Sequence, residues 1–185
     1  MHAAVAERDG GAVLLTGDQE AGKSTLVAGL VERGSGYLTD EAAAVRRDSN
    51  LVEPYAKPLS IDPGSWGLLS NLRPANLTGS DEEWDHQWQV PADSIRPGAF
   101  AGAAPLRLVV DVQYRAGAPT TFRRLSRARM LVLLMSRCFA TQGRLPEALT
   151  SLADAIRSVG CYALESGDLG EMCDAVELAV GKGDA

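Results

Sequence analysis

The chain has 185 residues, 45% hydrophobic and 23% charged, enough to bury a core and too short for two ordinary domains. Eighteen Lys and Arg against 24 Asp and Glu give a net charge of −6, which argues against a nucleic-acid-coating protein, since that needs a basic footprint. The longest purely apolar run, residues 130–135, is far below the roughly 20 residues of a membrane span, so no membrane partner is expected.

Residues 3–7 alternate weakly, Arg8-Asp9-Gly10-Gly11 has turn chemistry, and residues 12–16 are continuously apolar, the pattern of a hairpin. Residues 17–22 read as a loop. Residues 23–33 read as a helix with Leu26, Val27, Leu30 and Val31 on one face, stopped by Gly34 and Gly36. A short strand over residues 36–39 ends at Asp40-Glu41, and residues 43–47 are a candidate further strand. The helix is long enough for a right-handed crossover, which would lay strand 36–39 beside strand 12–16 and bring Asp40 near the loop.

Pro54, Pro58, Pro63, Pro74, Pro91, Pro97 and Pro105 punctuate the next stretch, which should hold short elements: one helix over 65–72 and one strand over 86–90. Substrate contacts are expected there. A strand follows over 106–114. Ser126 is placed to cap a helix running to Phe139 that would bury Leu131, Val132, Leu134, Met135 and Cys138. Pro146 suits the first position of another helix, burying Leu149, Leu152 and Ile156 and ended by Gly160. A short strand over 161–164 leads to a last helix carrying Leu169, Met172, Val176 and Val180. Strands alternating with helices define an α/β layer fold. Cys138, Cys161 and Cys173 are an odd set without CxxC spacing, which suits reduced thiols in a cytoplasmic protein.

Gly17-Asp18-Gln19-Glu20-Ala21-Gly22-Lys23-Ser24 fits the phosphate-loop pattern G-x-x-x-x-G-K-[ST] without a gap, between an apolar strand and an amphipathic helix. Glycines let backbone N–H groups turn inward around phosphate oxygens, and the helix N-terminus adds partial positive charge. Lys23 can reach the β- and γ-phosphates of a nucleotide, and the Ser24 hydroxyl can hold Mg²⁺. Glu20 adds a negative charge inside the loop. No Asn-Lys-x-Asp guanine reader and no Leu-Ser-Gly-Gly transporter signature occurs, which leaves a small phosphotransferase or a nucleotide binder. A carboxylate is then needed near the γ-phosphate, and Asp40-Glu41 and Asp111 compete for it. Asp111 sits mid-strand and reads as the more structural of the two.

The run from Gly17 to Thr25, with Leu-Val-Glu-Arg-Gly-Ser-Gly-Tyr-Leu-Thr-Asp-Glu after it, resembles the catalytic domain of the HPr serine kinase/phosphorylase family. It resembles more closely the short HPr-kinase-like proteins that lack the regulatory N-terminal domain. Tyr55-Ala-Lys57-Pro58-Leu59-Ser60, Gly64-Ser65-Trp66 and Asp111-Val-Gln-Tyr-Arg-Ala-Gly-Ala are similar to further motifs of those relatives. The resemblance implies one domain over residues 1–185, with a phosphate-loop core related to that of phosphoenolpyruvate carboxykinase. It also implies ATP and Mg²⁺ as cofactors and a serine hydroxyl as acceptor. Some short relatives are associated with peptide-modifying pathways, so a peptide or protein substrate is implied.

Carried over by position, Gly17, Asp18, Gln19, Glu20, Ala21, Gly22, Lys23, Ser24 and Thr25 form the nucleotide loop. Asp40 matches the first of two family aspartates, an acid/base position, and Glu41 replaces the second; with Ser24 they are the implied Mg²⁺ ligands. His2 stands where the family has an active-site histidine. Read without the resemblance, it is a fraying terminal residue. Lys57 and Arg115 are candidate substrate or phosphate contacts, with a surface charge the plainer reading of each. Val112 and Gln113 depart from the Pro and Arg that relatives often carry. The alternatives are a nucleotide-binding partner protein without turnover and a small-molecule kinase. The sequence leaves a homo-oligomer open.

Overall fold

Asp9 and Gly10 both have positive φ (52° and 76°), the geometry of a two-residue hairpin turn whose twist matches that of its strands. The turn joins β1 (Ala4–Arg8) to β2 (Gly11–Thr16) in antiparallel register, Val5 opposite Leu14 and Arg8 opposite Gly11. The computed structural model describes residues 1–75, 77, 86–139 and 144–181. After the hairpin come α1 (Lys23–Glu32), β3 (Gly36–Thr39), β4 (Ala44–Val45), β5 (Leu51–Glu53) and β6 (Leu59–Ile61). Then follow β7 (Trp88–Val90), α2 (Ala92–Ile95), β8 (Ala104–Tyr114) and β9 (Thr121–Arg124). The chain closes with α3 (Arg127–Ser136), α4 (Leu145–Ala155), β10 (Gly160–Ser166) and α5 (Leu169–Gly181).

The main sheet runs β3-β1-β2-β8-β10-β9, with β5 and β4 attached along the start of β8. β2, β8 and β10 are parallel to one another. β2 is buried at every position, as a central strand covered on both faces must be. Val13 and Leu15 face one core with Leu26, Val27 and Leu30 of α1 and Met172 and Val176 of α5. Ala12 and Leu14 face a second core with Met130 and Leu134 of α3 and Leu152 of α4. The β6–β7 ribbon covers the α1 side, where Trp66 and Trp88 stack with centroids 4.9 Å apart and Trp66 Nε1 donates to the Ile61 carbonyl at 3.1 Å.

Several expectations need correction. β3 does not lie beside β2: β1 intervenes, antiparallel to both. The hairpin is the most local pairing available, so it takes the neighbouring slot, and the α1 crossover lands one strand further out. Residues 65–72 form no single helix; two three-residue 3₁₀ turns at Pro63–Ser65 and Ser70–Leu72 replace it. Val132 is 62% exposed and Leu149 45% exposed. In α3 the inward pair is Met130 and Leu134 at four-residue spacing, which turns Val132 outward; α4 likewise turns Leu152 inward and Leu149 out. The short strands β5, β6 and β9 were not expected.

Candidate functional site

The loop between β2 and α1 is shaped by two close approaches. A Cβ on Gly17 would lie 2.7 Å from the Val112 carbonyl oxygen and 3.0 Å from Ala21 Cβ, so residue 17 must be glycine for the loop to leave β2 at this angle. Gly22 caps α1 with φ 89°, and a Cβ there would meet Tyr114 Cβ at 3.1 Å. Gly17→Ala is expected to cost about 1–3 kcal/mol of stability through overpacking. It should weaken triphosphate binding more than roughly tenfold, because the loop amides move; thermal unfolding and a titration with Mg-ATP check the two effects.

Lys23 is 6% exposed and spans the loop, donating to the Gly17 carbonyl at 3.1 Å and the Asp18 carbonyl at 2.7 Å. Burial lowers its pKa, and the nearby Arg137 guanidinium lowers it further. Arg137, just past the end of α3, ties three elements to the loop. Its Nη1 reaches Asp111 Oδ1 at 2.7 Å and Thr16 Oγ1 at 3.2 Å, and its Nη2 reaches Asp18 Oδ1 at 2.9 Å. Asp111 is thus the anchor of an ion pair on the α3 face of the sheet, in line with its structural reading. Arg137→Ala should weaken triphosphate binding by about tenfold, as the charge-assisted bond to Asp18 in the loop and the part-buried one to Asp111 behind it are lost. It should also raise the Lys23 pKa, which NMR of the lysine amine can follow.

One cavity of about 920 Å³ opens against this loop. Of the candidate nucleotide-loop residues, Gln19, Glu20, Gly22, Lys23, Ser24 and Thr25 line it; Gly17, Asp18 and Ala21 do not. Glu20 adopts φ 61°, the left-handed region, and is exposed. Thr25 Oγ1 bonds Ser65 Oγ at 2.6 Å, which ties α1 to the first of the 3₁₀ turns. His2, Asp40, Glu41, Lys57 and Ser60 line the same cavity, so the carboxylates after β3 and the loop share one space although β1 separates their strands.

Asp40 is 4% exposed and accepts from three donors. Lys57 Nζ lies 3.0 Å from Oδ1, the Tyr37 hydroxyl 3.1 Å from Oδ1, and the Ser60 amide 2.7 Å from Oδ2. Burial, and next the adjacent Asp40 charge, push the Tyr37 phenol well above its ordinary range, so it stays a donor. Lys57 also reaches Glu41 Oε2 at 3.4 Å and Ser60 Oγ at 3.0 Å. Lys57 is therefore a cavity residue held between two carboxylates, not a free surface charge. Arg115 is the surface charge: it is 61% exposed, pairs with Glu165 at 3.2 Å and lies outside the cavity lining.

His2 is anchored, not frayed. Its amide donates to the Arg137 carbonyl at 2.9 Å, it bridges Ala42, and its ring meets Phe139 edge-on at 6.0 Å. Burial lowers its pKa below the ordinary 6.5, and Lys23 lowers it further; a bond to the Glu41 backbone opposes both. The folded chain thus binds the His2 proton less readily than the unfolded chain does. Stability should rise with pH across the window below about 6.5 and be lost as pH falls through it. Urea unfolding between neutral and acidic pH checks this, with His2→Gln showing a shallower loss.

Ser24, Asp40 and Glu41 offer one hydroxyl and two carboxylates to the cavity, and no group of three or more His, Cys, Asp or Glu is placed to hold a metal among the described residues. That donor set suits Mg²⁺, which keeps waters and phosphate oxygens and takes one or two carboxylates, more than a cation needing an all-protein cage. Sequence reasoning missed Arg137, Tyr37 and Tyr114. Arg137 and Tyr114 carry no local signal, since each meets the loop only through long-range packing. Tyr37 stands three residues before Asp40 in the short strand β3.

No family model matches this chain, and no curated protein matches it in sequence. Its fold is similar to that of the HPr(Ser) kinase/phosphatase from Coxiella burnetii, with a TM-score of 0.50 over 98% of this chain and 96% of that chain at 12% sequence identity. The chain is thus a mixed α/β protein with an HPr-kinase-like fold. Among the described residues no helix is long and apolar enough to cross a membrane.

Proposed function

We propose that this chain is an ATP-dependent phosphotransferase, one domain over residues 1–185, that moves the γ-phosphate of Mg-ATP to the serine hydroxyl of a peptide or protein. The observation that carries the reading is the single cavity lined by Lys23 and Ser24 on one side and by Asp40 and Glu41 on another. Lys23, freed from the loop carbonyls, would pair with the β- and γ-phosphates, and the loop amides would neutralise the transferring group. Asp40 would accept the proton of the attacking hydroxyl. Lys57 and Tyr37 hold Asp40 in place, and His2 lines the same cavity. Bound through Ser24 with Asp40 or Glu41, Mg²⁺ would offset phosphate charge. Most of the rate would come from positioning and electrostatics. Cys161 and Cys173 are buried thiols that form no disulfide among the described residues, which supports a reducing, cytoplasmic setting.

A second reading is a nucleotide-binding partner that does not turn over. The three donors already on Asp40 favour it, as do Glu20 in the loop and Gln113 in place of an arginine. Incubation of the protein with Mg-ATP and serine-containing peptides, followed by intact-mass analysis, separates the two. A gain of about 80 Da on a peptide supports the transferase. Nucleotide binding with no peptide modified and no ATP consumed supports the partner.

A further inference from the structure

The sheet order gives the cavity two unlike ends. On one side of β2 lie β1 and β3, which deliver His2, Asp40 and Glu41; on the other lie β8 and β10, which deliver Tyr114 and the start of α5. The first end is ionic. At the second, β8 and α5 contribute Tyr114, Leu169 and Met172 to the lining, beside Gln19 and Glu20 of the loop. A nucleoside triphosphate has the same asymmetry, a charged reacting end and a flat aromatic base. Resting on the reading above, with the γ-phosphate toward Asp40, we propose that Tyr114, Leu169 and Met172 form the shelf that takes the nucleobase, by stacking and without reading its edge.

Tyr114 is built for this position. It closes an eleven-residue strand whose interior is largely buried, yet its own side is 38% exposed. Its amide donates to the Ala21 carbonyl at 3.0 Å, which fixes it to the loop. Gly22, where a Cβ would meet Tyr114 Cβ at 3.1 Å, leaves the ring room beside the loop. Leu169 and Met172 come from the first turn of α5, which packs on α1; Met172 is 2% exposed, so the floor of the shelf is rigid while its sulfur adapts to the base. Every base has a π-face, so a shelf that holds the base by stacking on an aromatic ring and two apolar side chains discriminates weakly between bases. ATP and GTP should therefore bind alike, and the absence of an Asn-Lys-x-Asp stretch agrees with that.

The test compares Mg-ATP, Mg-GTP and Mg-tripolyphosphate by calorimetry on the full chain, with Tyr114→Ala, Tyr114→Phe, Leu68→Ala and Lys23→Ala. ATP and GTP are expected within about fivefold of each other, and tripolyphosphate about 5- to 100-fold weaker, since one stacked base contributes that much. Tyr114→Ala should bring both nucleotides down toward tripolyphosphate, while tripolyphosphate itself changes less than about twofold; Tyr114→Phe should restore them. An equal loss for tripolyphosphate would mean that Tyr114 acts through the loop, and would overturn the shelf. So would an unchanged ATP affinity, a preference for one base above roughly 50-fold, or a selective nucleotide loss in Leu68→Ala, which would move the base to the other apolar wall. If no triphosphate binds, or Lys23→Ala changes nothing, the underlying reading fails with the shelf. Tripolyphosphate binding that needs Lys23 upholds that reading whatever Tyr114 does.

Discussion

Lys23→Ala is expected to abolish triphosphate binding, with a loss of affinity on the order of 10²-fold or more, while the fold survives. Lys23 is buried with its amine on the Gly17 and Asp18 carbonyls, at the point where β2 feeds α1. Its lowered pKa reflects burial first and Arg137 next, so the folded chain works against the charged form. An incoming triphosphate would add far more negative charge than Asp18 and Asp62 now offer the amine, which is why the expected effect on binding is large. Alanine also removes a buried cation, so stability should not fall by much and could rise. Titration with a fluorescent ATP analogue and Mg²⁺ checks the affinity, and thermal unfolding checks the fold. Binding unchanged in Lys23→Ala would remove the loop from the account.

Asp40→Asn should stop phosphoryl transfer and leave nucleotide binding largely intact. Loss of a general base costs about 10²–10⁴ in rate. Asparagine can keep an acceptor for the Ser60 amide, but it ends the ion pair with Lys57. Some destabilisation is therefore expected, because Lys57 is mostly buried and retains only Glu41, Ser60 and the Pro58 carbonyl. Asp111→Asn provides the contrast. It breaks the Arg137 pair behind the loop, so its effect should fall on binding and stability, with far less on the transfer step itself. Single-turnover rates at saturating nucleotide separate the two variants. The reverse ranking would take the proton-accepting role away from Asp40.

The legible parts of this fold are the local ones. The β1–β2 hairpin was readable because Asp9-Gly10 supplies two positive φ angles between apolar runs. Helix α1 and strand β8 were readable from long, regular patterns, and Ser126 caps α3 as its chemistry suggests, accepting from the Arg129 amide. The illegible parts depend on distant partners. β5 has three residues and gains its place from Pro105 and Ala104 on one side and from Ala44 and Val45 on the other. β6 pairs with β7 through Leu59 and Val90, and β9 with β10 through Phe122 and Leu164. Nothing within a window of ten residues announces such strands. The neighbour of β2 was misjudged for the same reason, since β1 already occupied the slot expected for β3.

The candidate site divides in the same way. The run from Gly17 to Thr25 and the pair Asp40-Glu41 carry their chemistry in adjacent residues and could be named from the sequence. That they line one cavity could not be read there, because it depends on how far the α1 crossover travels. Arg137, which joins Asp18, Thr16 and Asp111, is the clearest omission. It follows an apolar helix and looks like any basic helix end. Lys57 is visible as a candidate, but its place between Asp40 and Glu41 is set by the irregular segment that leads into β6 and by the ribbon that follows.

A crystal structure with Mg²⁺ and a non-hydrolysable ATP analogue tests the central claim most directly. The account predicts the β- and γ-phosphates on the loop amides and Lys23 Nζ, a Mg²⁺ on Ser24 at about 2.1 Å, and the Asp40 carboxylate within roughly 10 Å of Lys23 Nζ on the γ-phosphate side. A triphosphate bound away from residues 17–25, or an Asp40 carboxylate farther than that from the Lys23 amine with nucleotide in place, would contradict it.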